Sequence, residues 1–308
     1  MEQFKDKNIL VTGGCGVIGR ELIAKLVLFG ANVRCVDFVD LPTELEKLPI
    51  EFYKVDLSDS KSQFLFRYNP DYVFHLAADF ERSTESFDFW DSNFNNNVLA
   101  SRNLLNKVMN CTNLKKIVFA SSYLIYDKDL YTNDLTFLKE TDVIQPRNLC
   151  GIAKLQTETD LNFINEFKDI DIASARIFRV YGRGSRDIIS RWVEDAYNNK
   201  TIKVFSKDNS FDYIYAEDVA DGLIQICKRN LKHKVYNIGT GNSVPIHRIV
   251  DILKNKFANL KIDFVDDVIF PEQSGAHVGR LYEETMWQSK YDIEKGIDKV
   301  ISHMGENK

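Results

Sequence analysis

Between the apolar run Asn8-Ile9-Leu10-Val11-Thr12 and a helix-patterned stretch at 20–29 lies Gly13-Gly14-Cys15-Gly16-Val17-Ile18-Gly19. Glycines this dense between a strand and a helix allow a tight turn and let the backbone approach another group closely. The same alternation continues downstream. Residues 32–37, 51–56, 71–76 and 116–121 read as buried strands, and 95–109 as a helix between the last two. Uninterrupted apolar strands separated by helices predict an α/β fold of the Rossmann type, a doubly wound parallel sheet covered on both faces. From about Ser174 the pattern loosens, with turn signals at Gly182-Arg183-Gly184 and Gly239-Thr240-Gly241. This divides the chain into 1–173, a first domain opened by the glycine turn, and 174–308, a smaller C-terminal region. Residues 212–238 are expected to return to the first domain.

The glycine turn opens a helix, and the first N–H groups of a helix attract a pyrophosphate. Gly13, Gly16, Val17, Ile18 and Gly19 are the candidate cradle. The second strand ends at Asp37, eighteen residues beyond Gly19. A carboxylate there accepts hydrogen bonds from the adenosine ribose and repels a 2′-phosphate, which points to NAD rather than NADP. Phe38, not a basic residue, follows it. Asp56 and Leu57, ending the third strand, are placed at the adenine edge; a polar strand end would explain Asp56 as well.

Of the 308 residues, 44% are hydrophobic and 28% charged, ordinary for a globular protein with a proper core. The formal net charge of −5 lacks the basic stripe that nucleic-acid binding requires. Five cysteines stand at 15, 35, 111, 150 and 227. Their scatter supports neither a disulfide framework nor a metal site, so no metal is expected. Reduced thiols, an acid-bearing N-terminus without signal-peptide layout and the lack of a run of about 18 apolar residues lead to the expectation of a cytoplasmic protein with no membrane partner.

Beyond the glycine turn, several ordered segments resemble the extended short-chain dehydrogenase/reductase family, in its nucleotide-sugar epimerase, dehydratase and reductase branch. They are His75-Leu76-Ala77-Ala78, Asn97-Val98, Phe119-Ala120-Ser121-Ser122-Tyr123-Leu124-Ile125-Tyr126, Arg176-Ile177-Phe178-Arg179-Val180-Tyr181-Gly182, the stretch from Phe211 to Ala220, and Tyr236-Asn237-Ile238-Gly239-Thr240-Gly241. The resemblance implies that Leu76, Ala77 and Ala78 lie beside the cofactor and that Asn97 steadies an active-site lysine. It implies Ser122 as the hydroxyl that binds the reacting oxygen, and Lys154 as the lysine holding the nicotinamide ribose. The family's Tyr-x-x-x-Lys becomes Cys150-Gly151-Ile152-Ala153-Lys154 here.

Cys150 leaves three readings open. Its thiolate serves as the base, helped by a pKa of about 8.5 against about 10 for tyrosine. Against this, the short side chain falls short of a sugar hydroxyl in the usual pose unless a water bridges. Alternatively another group takes over: Tyr123, Tyr126, a residue of Asp79-Phe80-Glu81-Arg82, or solvent. Or the chain has lost redox chemistry and only binds its ligands, as a sensor or scaffold. Tyr123 also stands where dehydratases carry an acidic pair, which argues against dehydration. The resemblance further implies a nucleotide-diphosphate sugar as substrate, with Asp79, Arg179, Arg186 and Arg280 as binding candidates. Phe211 replaces one frequent phosphate-contacting arginine, and Arg179 replaces an asparagine. Hydride transfer at a ring carbon, most plausibly C4, by a dehydrogenase or ketoreductase leads; a 4-epimerase is the alternative. Polysaccharide biosynthesis fits the branch, and a homodimer or higher homo-oligomer is expected by analogy with relatives.

Overall fold

The computed structural model describes residues 2–65, 67–80, 87–132, 134–168, 170–228, 230–265 and 272–306. Seven parallel strands form the central sheet: β1 (Asn8–Thr12), β2 (Asn32–Asp37), β3 (Ile50–Lys54), β4 (Tyr72–His75), β5 (Lys116–Ser122), β6 (Asp171–Ile177) and β7 (Val235–Ile238). Their order across the sheet is β3-β2-β1-β4-β5-β6-β7, so the winding reverses between β1 and β4. A reversal opens a crevice at the carboxyl ends of the two strands, the place where such sheets bind ligands.

Alternate residues of each strand feed opposite cores. Ile9 and Val11 pack with Phe74, Val118 and Ala173 on one face, under α1 (Val17–Leu28) and the helix Ala216–Ile226. Leu10, Val73, Ile117 and Ile172 pack on the other, under α2 (Ala100–Val108) and α3 (Leu149–Phe167). A separate apolar cluster around Trp192, Val250, Leu253 and Ile297 lies in the C-terminal part of the chain. The Rossmann-type expectation therefore holds.

Two local differences have physical causes. The helix read at 95–109 is regular only over Ala100–Val108; Phe94–Leu99 is wound as a π-helix. There Asn96 and Asn97 are both drawn to the loop after β4. Asn96 Nδ2 donates to an Asp79 carboxylate oxygen, and the Asn97 carboxamide bonds the Asp79 backbone N–H and C=O at 2.7 and 2.8 Å. Such insertions recur where a helix serves a site. The outer edge of β7 is capped by side chains: Glu140 accepts the Asn237 N–H at 2.9 Å, and Arg280 donates to the Val235 carbonyl at 2.9 Å. These contacts satisfy backbone groups that an open edge would leave bare.

One buried ion pair ties α3 to β6. Arg176 meets both carboxylate oxygens of Glu158 at 3.2 and 2.9 Å, with both side chains almost wholly buried. Removing one partner strands the other's charge in the core. Glu158→Ala is expected to lower stability by about 3–5 kcal/mol, read as a shift of the urea midpoint.

Candidate active site

The crevice is built from four chain segments at the carboxyl ends of β1, β2, β4 and β5. The first is the glycine turn. Gly13 has φ +69°, and a Cβ there would stand 2.5 Å from the Ala77 backbone nitrogen. At Gly19 a Cβ would stand 2.5 Å from the Gly13 oxygen, so α1 packs directly on the turn. Gly16 is the N-cap of α1 and offers no side-chain cap, leaving the first-turn N–H groups of Val17 and Ile18 without one. Arg20 braces the turn by donating to the Cys15 carbonyl at 2.8 Å and to Glu44 at 2.9 Å.

Asp37 is the electrostatic partner of this turn. One carboxylate oxygen accepts the Cys15 N–H at 2.9 Å; the other accepts the N–H groups of Phe38 and Val39 at 2.8 and 3.3 Å. The carboxylate is thereby fixed at the lip of the crevice. Beneath it the Cys35 thiol is held protonated by its hydrogen bond with Cys15 and by burial. Asp56 is exposed and accepts the Ser58 N–H, and Leu57 is buried beside it.

From β4, Leu76, Ala77 and Ala78 run half-buried past the glycine turn. The Leu76 N–H donates to the Thr12 carbonyl at 3.0 Å. Below, the Thr12 hydroxyl, the His75 ring and the Ser101 hydroxyl form a buried chain with spacings of 2.7 and 2.8 Å. Burial pushes His75 down to about 3, with the Lys154 charge acting the same way, so the ring is neutral.

The reacting groups stand on β5 and α3. Ser122 ends β5, and its oxygen accepts the Leu124 N–H at 3.2 Å, which leaves its own hydrogen free to donate. Asn148 caps α3 by accepting the Gly151 N–H at 2.8 Å. Gly151 is required there, because a Cβ would lie 2.5 Å from the Leu124 oxygen. This close approach seats the first turn of α3 on the residues that follow Ser122. Cys150, 2% exposed, and Lys154 are one turn apart on the same face. The Lys154 ammonium donates to the Ala120 carbonyl at 2.7 Å and lies 4.8 Å from the Phe119 ring centroid. Burial pulls its pKa down to about 8, against the smaller opposing influence of Cys150 and Glu158.

Some expected residues have other work. The Asn97 carboxamide is engaged by Asp79 and Asn93, so it shapes the loop after β4, and Ala120 is the group that holds the lysine. Asp79 uses its carboxylate on Ser92 and Asn96, as an anchor for that loop. Arg280, read as a diphosphate ligand, caps the β7 edge and faces Glu140 at 3.8 Å; this is a correction, because the amino end of β7 lies across the sheet from the crevice. Arg186 is exposed in the loop before the helix Ile188–Tyr197. Glu81 and Arg82 lie outside the described residues.

Arg179 has partners that the sequence did not reveal. Its guanidinium meets Glu272 at 3.1 Å and lies 3.8 Å over the Phe211 ring. Arg147 meets the same Glu272 oxygen at 2.6 Å, and the Tyr123 hydroxyl donates to the other at 3.0 Å. Arg147 and Glu272 are 125 residues apart, and neither sits in a spacing that local pattern could flag.

A family model described as the NAD-dependent epimerase/dehydratase family matches residues 9–239. The chain belongs to that family. The residues present fit the cofactor: the bare helix terminus, the turn that any Cβ would obstruct and the fixed Asp37 carboxylate are the features a dinucleotide requires. A curated relative, the dTDP-4-dehydro-6-deoxyglucose reductase of Escherichia coli, is 27% identical over 316 residues, covering 96% of this chain and 97% of that protein. A Thermotoga maritima UDP-glucose 4-epimerase, solved with UDP-glucose, is 25% identical with a TM-score of 0.86, covering 97% and 99%. An epimerase from Methanothermobacter thermautotrophicus shares the fold at 23% identity with a TM-score of 0.89, covering 99% and 94%. No helix among the described residues is long and apolar enough to cross a membrane.

The cradle carries its own test. Gly13→Ala is expected to weaken NAD binding at least about tenfold by calorimetry. Gly305→Ala, at a position where a Cβ meets nothing within 4 Å, is expected to leave it unchanged.

Proposed function

We propose that the protein is an NAD-dependent oxidoreductase acting on a ring carbon of a nucleotide-diphosphate sugar, as a dehydrogenase or ketoreductase, with Lys154 moving the proton that the missing tyrosine would move. The observation that carries this is a buried lysine with a lowered pKa, bonded to Ala120 two residues before Ser122 and one turn from a cysteine. NAD, when bound, supplies the hydride acceptor or donor.

The other described candidates for the proton are engaged elsewhere. The Tyr126 hydroxyl is buried and donates to Asn237 at 2.7 Å. Tyr123 is pushed upward by burial and donates to Glu272. Asp79 is bound to its loop. Lys154 Nζ has one described acceptor, Ala120, and retains further N–H capacity toward the crevice. Ser122 donates its hydroxyl to the reacting oxygen and stabilises the charge that develops there. In oxidation, neutral Lys154 Nζ accepts the sugar hydroxyl proton; in reduction, the ammonium returns it. Cys150 takes no proton.

The relatives support a nucleotide sugar as substrate, since the named epimerase and reductase both act on one. Their names also favour a second reading, 4-epimerisation, in which the same oxidation is followed by return to the opposite face. Accumulation of reduced nicotinamide separates the two, because an epimerase regenerates its cofactor. Tight NAD binding without turnover of any nucleotide sugar would favour the sensor. Ile152 and Phe163, 53% and 62% exposed on α3, support a homodimer across that helix. Sedimentation of wild type against Phe163→Glu is expected to show a dimer and its loss.

The experiment is oxidation of a nucleotide-sugar panel followed by nicotinamide absorbance across pH. A base with a pKa near 8 makes the rate rise with pH and level above about 8. Cys150→Ala is expected to stay within about threefold of wild type, whereas Ser122→Ala falls by about 10²–10³. Lys154→Met is expected to abolish the pH-dependent limb. Loss of turnover in Cys150→Ala would overturn the assignment.

A further inference from the structure

We infer that the crevice contains an anion subsite, formed by Arg147 and Arg179, that selects a substrate carrying a carboxylate on its sugar ring. The inference deepens the proposed function and rests on it.

The charge balance comes first. Two guanidiniums converge on one Glu272 oxygen, at 2.6 and 3.1 Å, so the cluster holds one positive charge more than it neutralises. The two arginines draw the Glu272 pKa down against its burial, so its carboxylate stays ionised and the surplus persists. Desolvated charge of this kind is costly unless a partner completes it.

Two unused donors point to that partner. Arg179 Nε and the Tyr213 hydroxyl are buried, and among the described residues neither finds a hydrogen-bond partner. Arg179 and Tyr213 are neighbours in register on the paired strands Arg179–Tyr181 and Tyr213–Tyr215, so both lie at one end of that pairing. The back of the cluster is closed by Tyr123, Tyr131 and Ser274, all buried. Among the described residues the other side keeps some exposure, with the Arg147 and Arg179 side chains 24% and 33% exposed against 9% for Glu272. An acceptor-rich anion entering from that side meets both guanidiniums, whose planar forks suit a carboxylate.

Position selects the ring substituent over the diphosphate. Tyr123 directly follows Ser122, and Arg147 precedes Cys150 by three residues. The Arg147 N–H also donates to the Leu124 carbonyl at 3.2 Å. Both residues are therefore carried by the elements that carry the reacting groups, which places the surplus charge against the ring.

The test uses the NAD-loaded full chain and calorimetric binding of matched pairs: UDP-glucose with UDP-glucuronate, and UDP-N-acetylglucosamine with its uronate. At least one pair is expected to show an acidic-to-neutral affinity ratio of about ten or more. Arg147→Gln is expected to reduce that ratio to near one. Glu272→Gln is expected to raise it, because removing the internal carboxylate frees both guanidiniums. A purely structural cluster would not produce that rise. Equal binding of both members of every pair, or a Glu272→Gln ratio that falls, would overturn the subsite and leave the proposed function standing. Equal weakening of both members by Arg147→Gln would assign the arginine to the diphosphate and also overturn it. Binding of no member of any pair would overturn the proposed function together with the subsite.

Discussion

The hydrogen bond from Lys154 to the Ala120 carbonyl joins α3 to β5, and the chemistry of the crevice depends on it. It fixes a cation within the protein, over the Phe119 ring, where water does not reach. Burial makes the ammonium a readier proton donor than an ordinary lysine. Gly151 permits the close approach of α3 that makes the bond possible, and the Glu158–Arg176 pair holds the next turn of the same helix to the sheet. A helix placed this firmly positions its lysine whether or not a tyrosine precedes it.

Around this bond the crevice is divided by charge. On the side proposed for the cofactor, Asp37 is fixed by three backbone N–H groups. On the substrate side, Arg147 and Arg179 outnumber Glu272. Between them lie neutral His75, the Ser122 hydroxyl and the small Cys150 side chain. In the proposed function this division would sort the two ends of the ligands by sign, which hydrophobic contact alone cannot do.

The sheet was legible in the sequence because buried parallel strands are written as local apolar runs and because glycine at a strand end has few other uses. Asp37 was legible as the end of β2 for the same reason, whereas Ser122 and Lys154 came from the family resemblance, and the structure sets them at the end of β5 and on α3. Arg280 misled, because a resemblance in sequence cannot tell the edge of a sheet from the mouth of a crevice. The π-helical winding of Phe94–Leu99 and the Arg147–Glu272–Arg179 cluster were hidden, since both arise from contacts between segments distant in the chain. Asn96 reads as an ordinary helix residue until the Asp79 loop is set beside it.

The proposed chemistry turns on the protonation of one nitrogen. Selective isotope labelling of lysine, with a nuclear magnetic resonance titration of the Lys154 side chain in the folded chain, measures it directly. A midpoint of about 8 is expected. A midpoint at the ordinary lysine value of 10.5 would contradict it, since an ammonium that firm cannot serve as the proton acceptor near neutral pH.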